Sequence, residues 1–154
     1  MHNLVLTLAL LANESAYDRE IAAALEDVRS VYEVPAALVK AVIRQESGFD
    51  PNARSHAGAL GLMQVMPYNA AVVGMSESDL LDPAKNILAG VRILAELLRH
   101  YQGELVDALV AYNAGPRRPF APIPKNGETP KYVERVVSFF RKYSAEASRA
   151  EMDQ

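Results

Sequence analysis

Apolar residues return at intervals of three and four through most of this chain, and proline or glycine repeatedly bounds the stretches that carry them. That period commits the chain to amphipathic helices. Tyr17, Ile21, Ala24, Leu25 and Val28 form one stripe, with Ser15 expected as its cap. Glu33-Val34-Pro35 breaks that helix, and Pro35 suits the first turn of the next, which runs through Glu46-Ser47 and stops at Gly48. From Phe49 to Leu60, clustered Pro, Asn, Ser and Gly predict a loop, and helix resumes near Tyr68 after Gly61–Pro67. Asp82-Pro83 opens a helix with Ile87, Val91, Leu94 and Leu98 on one face, ended by Gly103. Leu105–Ala114 is a shorter helix closed by Gly115-Pro116. The stretch from Arg117 to Pro130 holds four prolines and reads as an extended loop. Lys131–Tyr143 is the last predicted helix, followed by a frayed polar tail. No stretch alternates with period two, so the expected class is all-α with long irregular loops and little or no β.

With 154 residues, half of them apolar, the chain has material for one domain around one core. The expected division is an extension at 1–15, a main domain at 16–143 and a polar tail at 144–154. A formal net charge of −3 argues against a nucleic-acid partner, which calls for a basic excess. Cysteine is absent, and His2, His56 and His100 share no metal-ligand spacing, so neither thiol chemistry nor a metal site is expected. A monomer is expected. Leu4–Ala12 is a mostly apolar run with two readings, a secretory leader lacking its basic start or a short helix packed on the core. It is too short to span a bilayer, which takes about 20 residues.

Four clusters carry candidate chemistry. Glu46 ends an otherwise apolar helix, where the negative end of the helix dipole and partial burial would both keep its carboxyl protonated, as a general acid requires. Taken alone, it reads more readily as a surface glutamate closing a helix. Gly58-Ala59-Leu60-Gly61-Leu62-Met63-Gln64 is a small-residue loop that would let a polymer approach the backbone. Ala111-Tyr112-Asn113-Ala114-Gly115 sets a phenol and an amide at a helix end, as a sugar contact or a cap. Gly127–Tyr132 starts the last helix, with Tyr132 one turn inside it as a packing or site residue.

In order, Glu46-Ser47, Gly61-Leu62-Met63-Gln64, Ala111-Tyr112-Asn113 and Tyr132 resemble the four consecutive motifs of family 1 lytic transglycosylases, and in particular the catalytic domain of the soluble ones. The resemblance runs from about Tyr17 to Tyr143 and takes in Phe49-Asp50-Pro51-Asn52-Ala53 and Ile123-Pro124. It implies a goose-type lysozyme-like fold, peptidoglycan as substrate and a lyase that needs no cofactor. Glu46 would protonate the β-1,4 oxygen between N-acetylmuramic acid and N-acetylglucosamine, then take a proton from the muramic C6 hydroxyl as that attacks C1. A 1,6-anhydro sugar would result. Ser55 matches a serine that supports the step, Gln64 and Met66 match cleft-lining positions, and Tyr112 and Asn113 match the sugar-contacting pair. Tyr132 matches a tyrosine that orients the acid, while Ser47 is expected to hold the following loop.

Two other readings remain beside this one. Glycosidases that hydrolyse use two carboxyls, and Asp50, the sole acid between Ser47 and Tyr68, would be the second in a muramidase on the same fold. A glycan-binding module without activity, serving a secretion or conjugation machine, is the other. The resemblance implies an envelope or periplasmic location. The chain departs from the family pattern at Tyr68-Asn69 and at Arg117-Arg118-Pro119-Phe120, both at the edge of the expected cleft. Arg117 and Arg118 would contact substrate carboxylates or lie in a solvated loop.

Overall fold

A computed structural model of the chain describes residues 2–116 and 120–154. Seven α-helices appear among them: α1 (His2–Ser15), α2 (Asp18–Val28), α3 (Ala36–Ser47), α4 (Pro67–Val72), α5 (Pro83–His100), α6 (Leu105–Ala114) and α7 (Glu128–Met152). A 3₁₀ turn at Ser78–Leu81 leads into α5. No strand longer than an isolated bridge occurs among the described residues, so the expected all-α class is the observed one.

The stripes read from the sequence become the core. Ile21, Ala24 and Val28 of α2 pack on α5, whose Ile87, Val91, Leu94 and Leu98 are all buried. The α3 face of Leu38, Val39, Val42 and Ile43 lies against α7 through Val133 and Val136, and this is the most extensive helix pairing in the molecule. Pro35 is the residue before α3 rather than its first, with extended backbone that feeds the helix. Gly48 ends α3 in the left-handed conformation (φ 60°), which a residue without Cβ adopts at little cost. Asp82 caps α5 by accepting from the Lys85 amide at 2.9 Å.

Four local expectations are corrected. Ser15 does not cap α2; it is the last residue of α1, and Tyr17 holds the capping position. The proline-rich stretch is not loop as far as Pro130, because α7 already starts at Glu128. Pro130 fits there because first-turn amides need no helical partner. The tail after Ser144 is not frayed either, since α7 continues to Met152. Good helix formers carry it, and the buried Tyr143 hydroxyl anchors it by donating to Glu14 at 2.9 Å. Finally, the second reading of the apolar start, a helix packed on the core, does not hold for its described apolar side chains. Leu4, Val5, Leu6 and Leu8 are 57–67% exposed, because the run lacks the single apolar face that packing requires. Its described attachment is the buried Glu14, which also meets Arg44 at 3.3 Å and Lys142 at 3.6 Å.

Between α3 and α5 the chain makes a tight double turn instead of a hairpin. Leu60 bridges both Arg54 and Val65, and the turn is fixed from below by one buried side chain, Asn86 of α5. Its carbonyl accepts from the Met63 amide at 2.9 Å, and its amide donates to the Leu60 and Leu80 carbonyls at 2.8 and 3.0 Å. Gly61 and Gly90 make room for this contact. A Cβ at Gly61 (φ 75°) would fall 2.7 Å from Asn86 Cγ, and one at Gly90 would fall 2.6 Å from Met63 Cβ. Replacing Asn86 by Ala strips the buried Met63 amide and Leu80 carbonyl of their partners, each worth about 1–3 kcal/mol, and removes one of the two bonds to the Leu60 carbonyl, which keeps the Val65 amide. Denaturant unfolding of Asn86→Ala is therefore expected to show a loss of roughly 3 kcal/mol or more.

Candidate active site

The double turn, the ends of α3 and α6 and the starts of α4 and α7 enclose a cleft of about 520 Å³. Glu46, Ser55, Gln64, Met66, Tyr112 and Asn113 all line it. Six of the seven site residues expected from the sequence thus share one surface. Tyr132, the seventh, is buried behind Glu46 rather than on the cleft wall.

Glu46 sits where α3 meets the cleft. Burial pushes its carboxyl up to about 7, from 4.5; the nearby Tyr132 hydroxyl works the other way, and the Glu128 carboxylate adds to the rise. No cation among the described residues pairs with it. A carboxyl so placed is divided between its acid and base forms near neutrality, which suits a group that must first give and then accept a proton. The Tyr132 hydroxyl is buried and close enough to Glu46 to favour its charged form, yet it has no partner in hydrogen-bonding geometry. Burial raises the Tyr132 and Tyr112 phenols well above their ordinary range, so both stay neutral.

Several polar groups expected to meet sugar are engaged within the protein. The Tyr112 hydroxyl donates to the Met63 carbonyl at 2.8 Å, pinning the double turn to α6. The Gln64 amide nitrogen donates to the Gly61 and Ala53 carbonyls at 2.9 and 3.1 Å, which holds Gln64 in a left-handed conformation (φ 49°) unusual for a residue with a side chain. The Asn113 side-chain Oδ1 accepts from Thr129 Oγ1 at 2.9 Å, joining α6 to the start of α7. Tyr112, Gln64 and Asn113 therefore shape the cleft as well as line it. Ser55 differs from them. Its Oγ accepts from the Ala59 amide at 2.9 Å and donates to no described residue, so its proton can face the cleft. Ser47 holds the loop as expected, its hydroxyl lying 2.8 Å from the Leu62 carbonyl and 3.1 Å from that of Ile43. The single proton favours the shorter contact.

Asp50 does not line the cleft. It accepts from the Asn52 amide at 2.9 Å in a turn on the exposed loop. The second carboxylate on the cleft wall is Glu128, which the sequence reading took only as part of a helix start. Its spacing of four residues from Tyr132 places the two on one helix face and was the available signal. Asn86 and Thr129 were also missed, since a lone polar residue among apolar ones gives no hint of which backbone groups it will meet. Arg117 and Arg118 lie outside the described residues.

A family model for the transglycosylase SLT domain matches residues 23–134. The soluble lytic murein transglycosylase of Escherichia coli (strain K12) is 37% identical over 94 residues, covering 56% of this chain and 15% of that protein. The transglycosylase of Enterobacteria phage PRD1 is 39% identical over 84 residues, 54% of this chain and 31% of that protein. This chain thus spans a minor part of the relatives it matches. Among solved structures, the lytic transglycosylase Slt of Pseudomonas aeruginosa superimposes with a TM-score of 0.73 at 29% identity, over 87% of this chain and 25% of that one. The 70 kDa soluble lytic transglycosylase of Escherichia coli gives 0.68 at 29% identity, over 80% and 24%. The lysozyme-like fold expected from the motifs is therefore present, and the chain belongs to the transglycosylase SLT domain family.

Proposed function

We propose that this chain is a lytic transglycosylase of peptidoglycan, cleaving the bond between N-acetylmuramic acid and N-acetylglucosamine without water. The observation that carries the reading is the Glu46 carboxyl, half-buried in the cleft wall with no cation among the described residues and raised to about 7. In its acid form it protonates the glycosidic oxygen and the N-acetylglucosamine leaves. Positive charge then builds at C1 and is shared with the substrate's own N-acetyl oxygen, while the Ser55 hydroxyl is placed to support that group. Glu46, now a carboxylate, takes the proton of the muramic C6 hydroxyl as its oxygen bonds to C1. Protons balance over the cycle and no metal or organic cofactor enters. The buried Tyr132 hydroxyl stands behind Glu46 and orients it, closing on the carboxylate when the proton has left.

Glu128 favours one alternative. A second carboxylate on the cleft wall could activate water and make the enzyme a hydrolysing muramidase. Product mass separates the two readings, because anhydro ends are lighter than hydrolysed ends by one water. Purified sacculi are expected to yield anhydromuramic ends, and Glu128→Gln is expected to keep making them. Reducing muramic ends that disappear in Glu128→Gln would favour the hydrolase instead.

The family, and relatives described as membrane-bound, suggest the cell envelope as the working place. No described helix is long and apolar enough to cross a membrane. We read α1, whose Leu4, Val5, Leu6 and Leu8 stand exposed, as an export leader, and residues 16–143 as the catalytic unit. The phage relative is consistent with service to an envelope-opening machine.

Glu46→Gln is expected to lower anhydro-product formation by roughly 10²–10⁴-fold, as loss of a general acid does. For the wild type, kcat/KM on glycan strands is expected to fall with rising pH above about 7, where the acid form is lost. The same shift acts on stability. The folded state holds the Glu46 proton more tightly than the unfolded chain, so this group destabilises the fold progressively as pH rises from about 4.5 to about 7. Glu46→Gln is therefore expected to match the wild type near pH 4 in thermal unfolding and to exceed it at pH 8, by on the order of 2 kcal/mol.

A further inference from the structure

Asn113 turns one end of its side chain into the protein and the other towards the cleft that it borders. Its Oδ1 accepts from the Thr129 hydroxyl at 2.9 Å, and its Nδ2 donates to no described residue. Among the described residues the Tyr132 hydroxyl is the one buried side-chain group without a partner, so the Asn113 nitrogen is open to the cleft. Which end faces outward decides whether the cleft offers a donor or an acceptor at this point.

That choice is made outside the cleft. Gly127 has no side chain with which to cap α7, and Asn126 does so in its place. The Asn126 Oδ1 accepts from the Glu128 and Thr129 amides at 3.2 and 2.9 Å. Backbone amides only donate, so the atom facing them is the oxygen and the Asn126 nitrogen points the other way. There it donates to Thr129 Oγ1 at 2.9 Å. The hydroxyl accepts that bond and sends its single proton on to Asn113. An amide meets an incoming proton with its oxygen, so Oδ1 is held inward and the N–H groups are held outward. Thr129 is only 1% exposed, and water does not compete for its hydroxyl. Asn126 is exposed and stands off the cleft wall.

We propose that Asn126 and Thr129 are positioning residues that lock Asn113 as a hydrogen-bond donor in the cleft, where it takes a carbonyl oxygen of the glycan. A sugar hydroxyl pairs with either end of an amide, whereas a carbonyl only accepts, so a locked amide discriminates where it meets a carbonyl. The glycan carries such oxygens on its N-acetyl and lactyl groups. The inference rests on the glycan-cleaving reading above and adds to it how the start of α7 sets the polarity of the cleft.

Asn126→Asp tests the lock without disturbing the helix start, because aspartate caps as well as asparagine. Its second oxygen accepts where the nitrogen donated. The Thr129 proton then turns back to it, and Asn113 flips to donate inward and show its oxygen to the cleft. Hydrogen exchange of the Asn113 Nδ2 protons, followed by NMR, is expected to slow about tenfold or more in Asn126→Asp, whereas a loosened helix start would speed it. Peptide-free glycan strands are expected to bind Glu46→Gln protein about tenfold more weakly once Asn126→Asp or Thr129→Val is added, and to bind normally with Thr129→Ser. On strands stripped of their N-acetyl groups that difference vanishes if the partner is an N-acetyl carbonyl and persists if it is the lactyl oxygen; either result supports the contact. Unchanged or faster exchange in Asn126→Asp would overturn the lock and leave the lytic reading intact. Slowed exchange with unchanged binding would overturn the carbonyl contact. Reducing rather than anhydro ends from the wild type would overturn the lytic reading and leave the lock. Failure of Glu46→Gln protein to bind any strand would overturn both the contact and the glycan-cleaving reading.

Discussion

Asn86 reaches up from α5 into a double turn that has almost no other regular support. Two isolated bridges cannot hold a backbone in place, and the carbonyls and amides of Leu60–Met63 are turned away from water. A single buried amide meets two of those groups and the Leu80 carbonyl beside them, and so replaces the ladder that a sheet would supply. With the turn fixed, the Met63 carbonyl can anchor Tyr112 and the Leu62 carbonyl can anchor Ser47, which ties the ends of α6 and α3 to the same piece of chain. Glu46 is the neighbour of Ser47. Its place in the cleft therefore follows from a hydrogen-bond network anchored on the backbone of the double turn.

The molecule also treats its two sheltered glutamates in opposite ways. Glu14 is surrounded by compensation from Arg44, Lys142 and the Tyr143 hydroxyl, and it joins α1 to α3 and α7. Glu46, borne by the same α3 helix as Arg44, lies against the same α7 partner and pairs with no cation among the described residues. The first arrangement holds helices together, and the second keeps a proton available at neutral pH. The packing of α3 on α7 that builds much of the core is thus also what desolvates the acid. Fold stability and proton chemistry draw on one interface, with Glu46 opposing the former in favour of the latter.

The helices were largely legible because their periods and stops are local. The stripe through Ile87, Val91, Leu94 and Leu98 needed only its spacing, and Gly48 and Asp82 needed only their own backbone preferences. Where the reading erred, neighbours distant in the chain decided. The tail beyond Ser144 looked too polar to be ordered, but Tyr143 is held by Glu14 from the opposite end of the sequence. The apolar start had two readings, leader or core helix, and spacing alone could not choose, because a run apolar on all sides has no one face to turn inward.

For the site, the sequence by itself determined which residue types stand ready: a helix-ending glutamate, a glycine-rich turn, and a tyrosine–asparagine pair at a helix end. It also bounded the chemistry, since without cysteine or clustered histidine a carboxyl acid was the main candidate. Only the tertiary structure decided what each of these does. It half-buried Glu46 with no described cation beside it, turned the Tyr112 hydroxyl and the Gln64 amide into supports of the turn, and placed Glu128 rather than Asp50 on the cleft wall. The physical reason is that a carboxyl's proton affinity and an amide's choice of partner depend on solvent exclusion and on groups brought close from elsewhere in the chain. Spacing along a helix encodes which face a residue takes, but not what will come to rest against it.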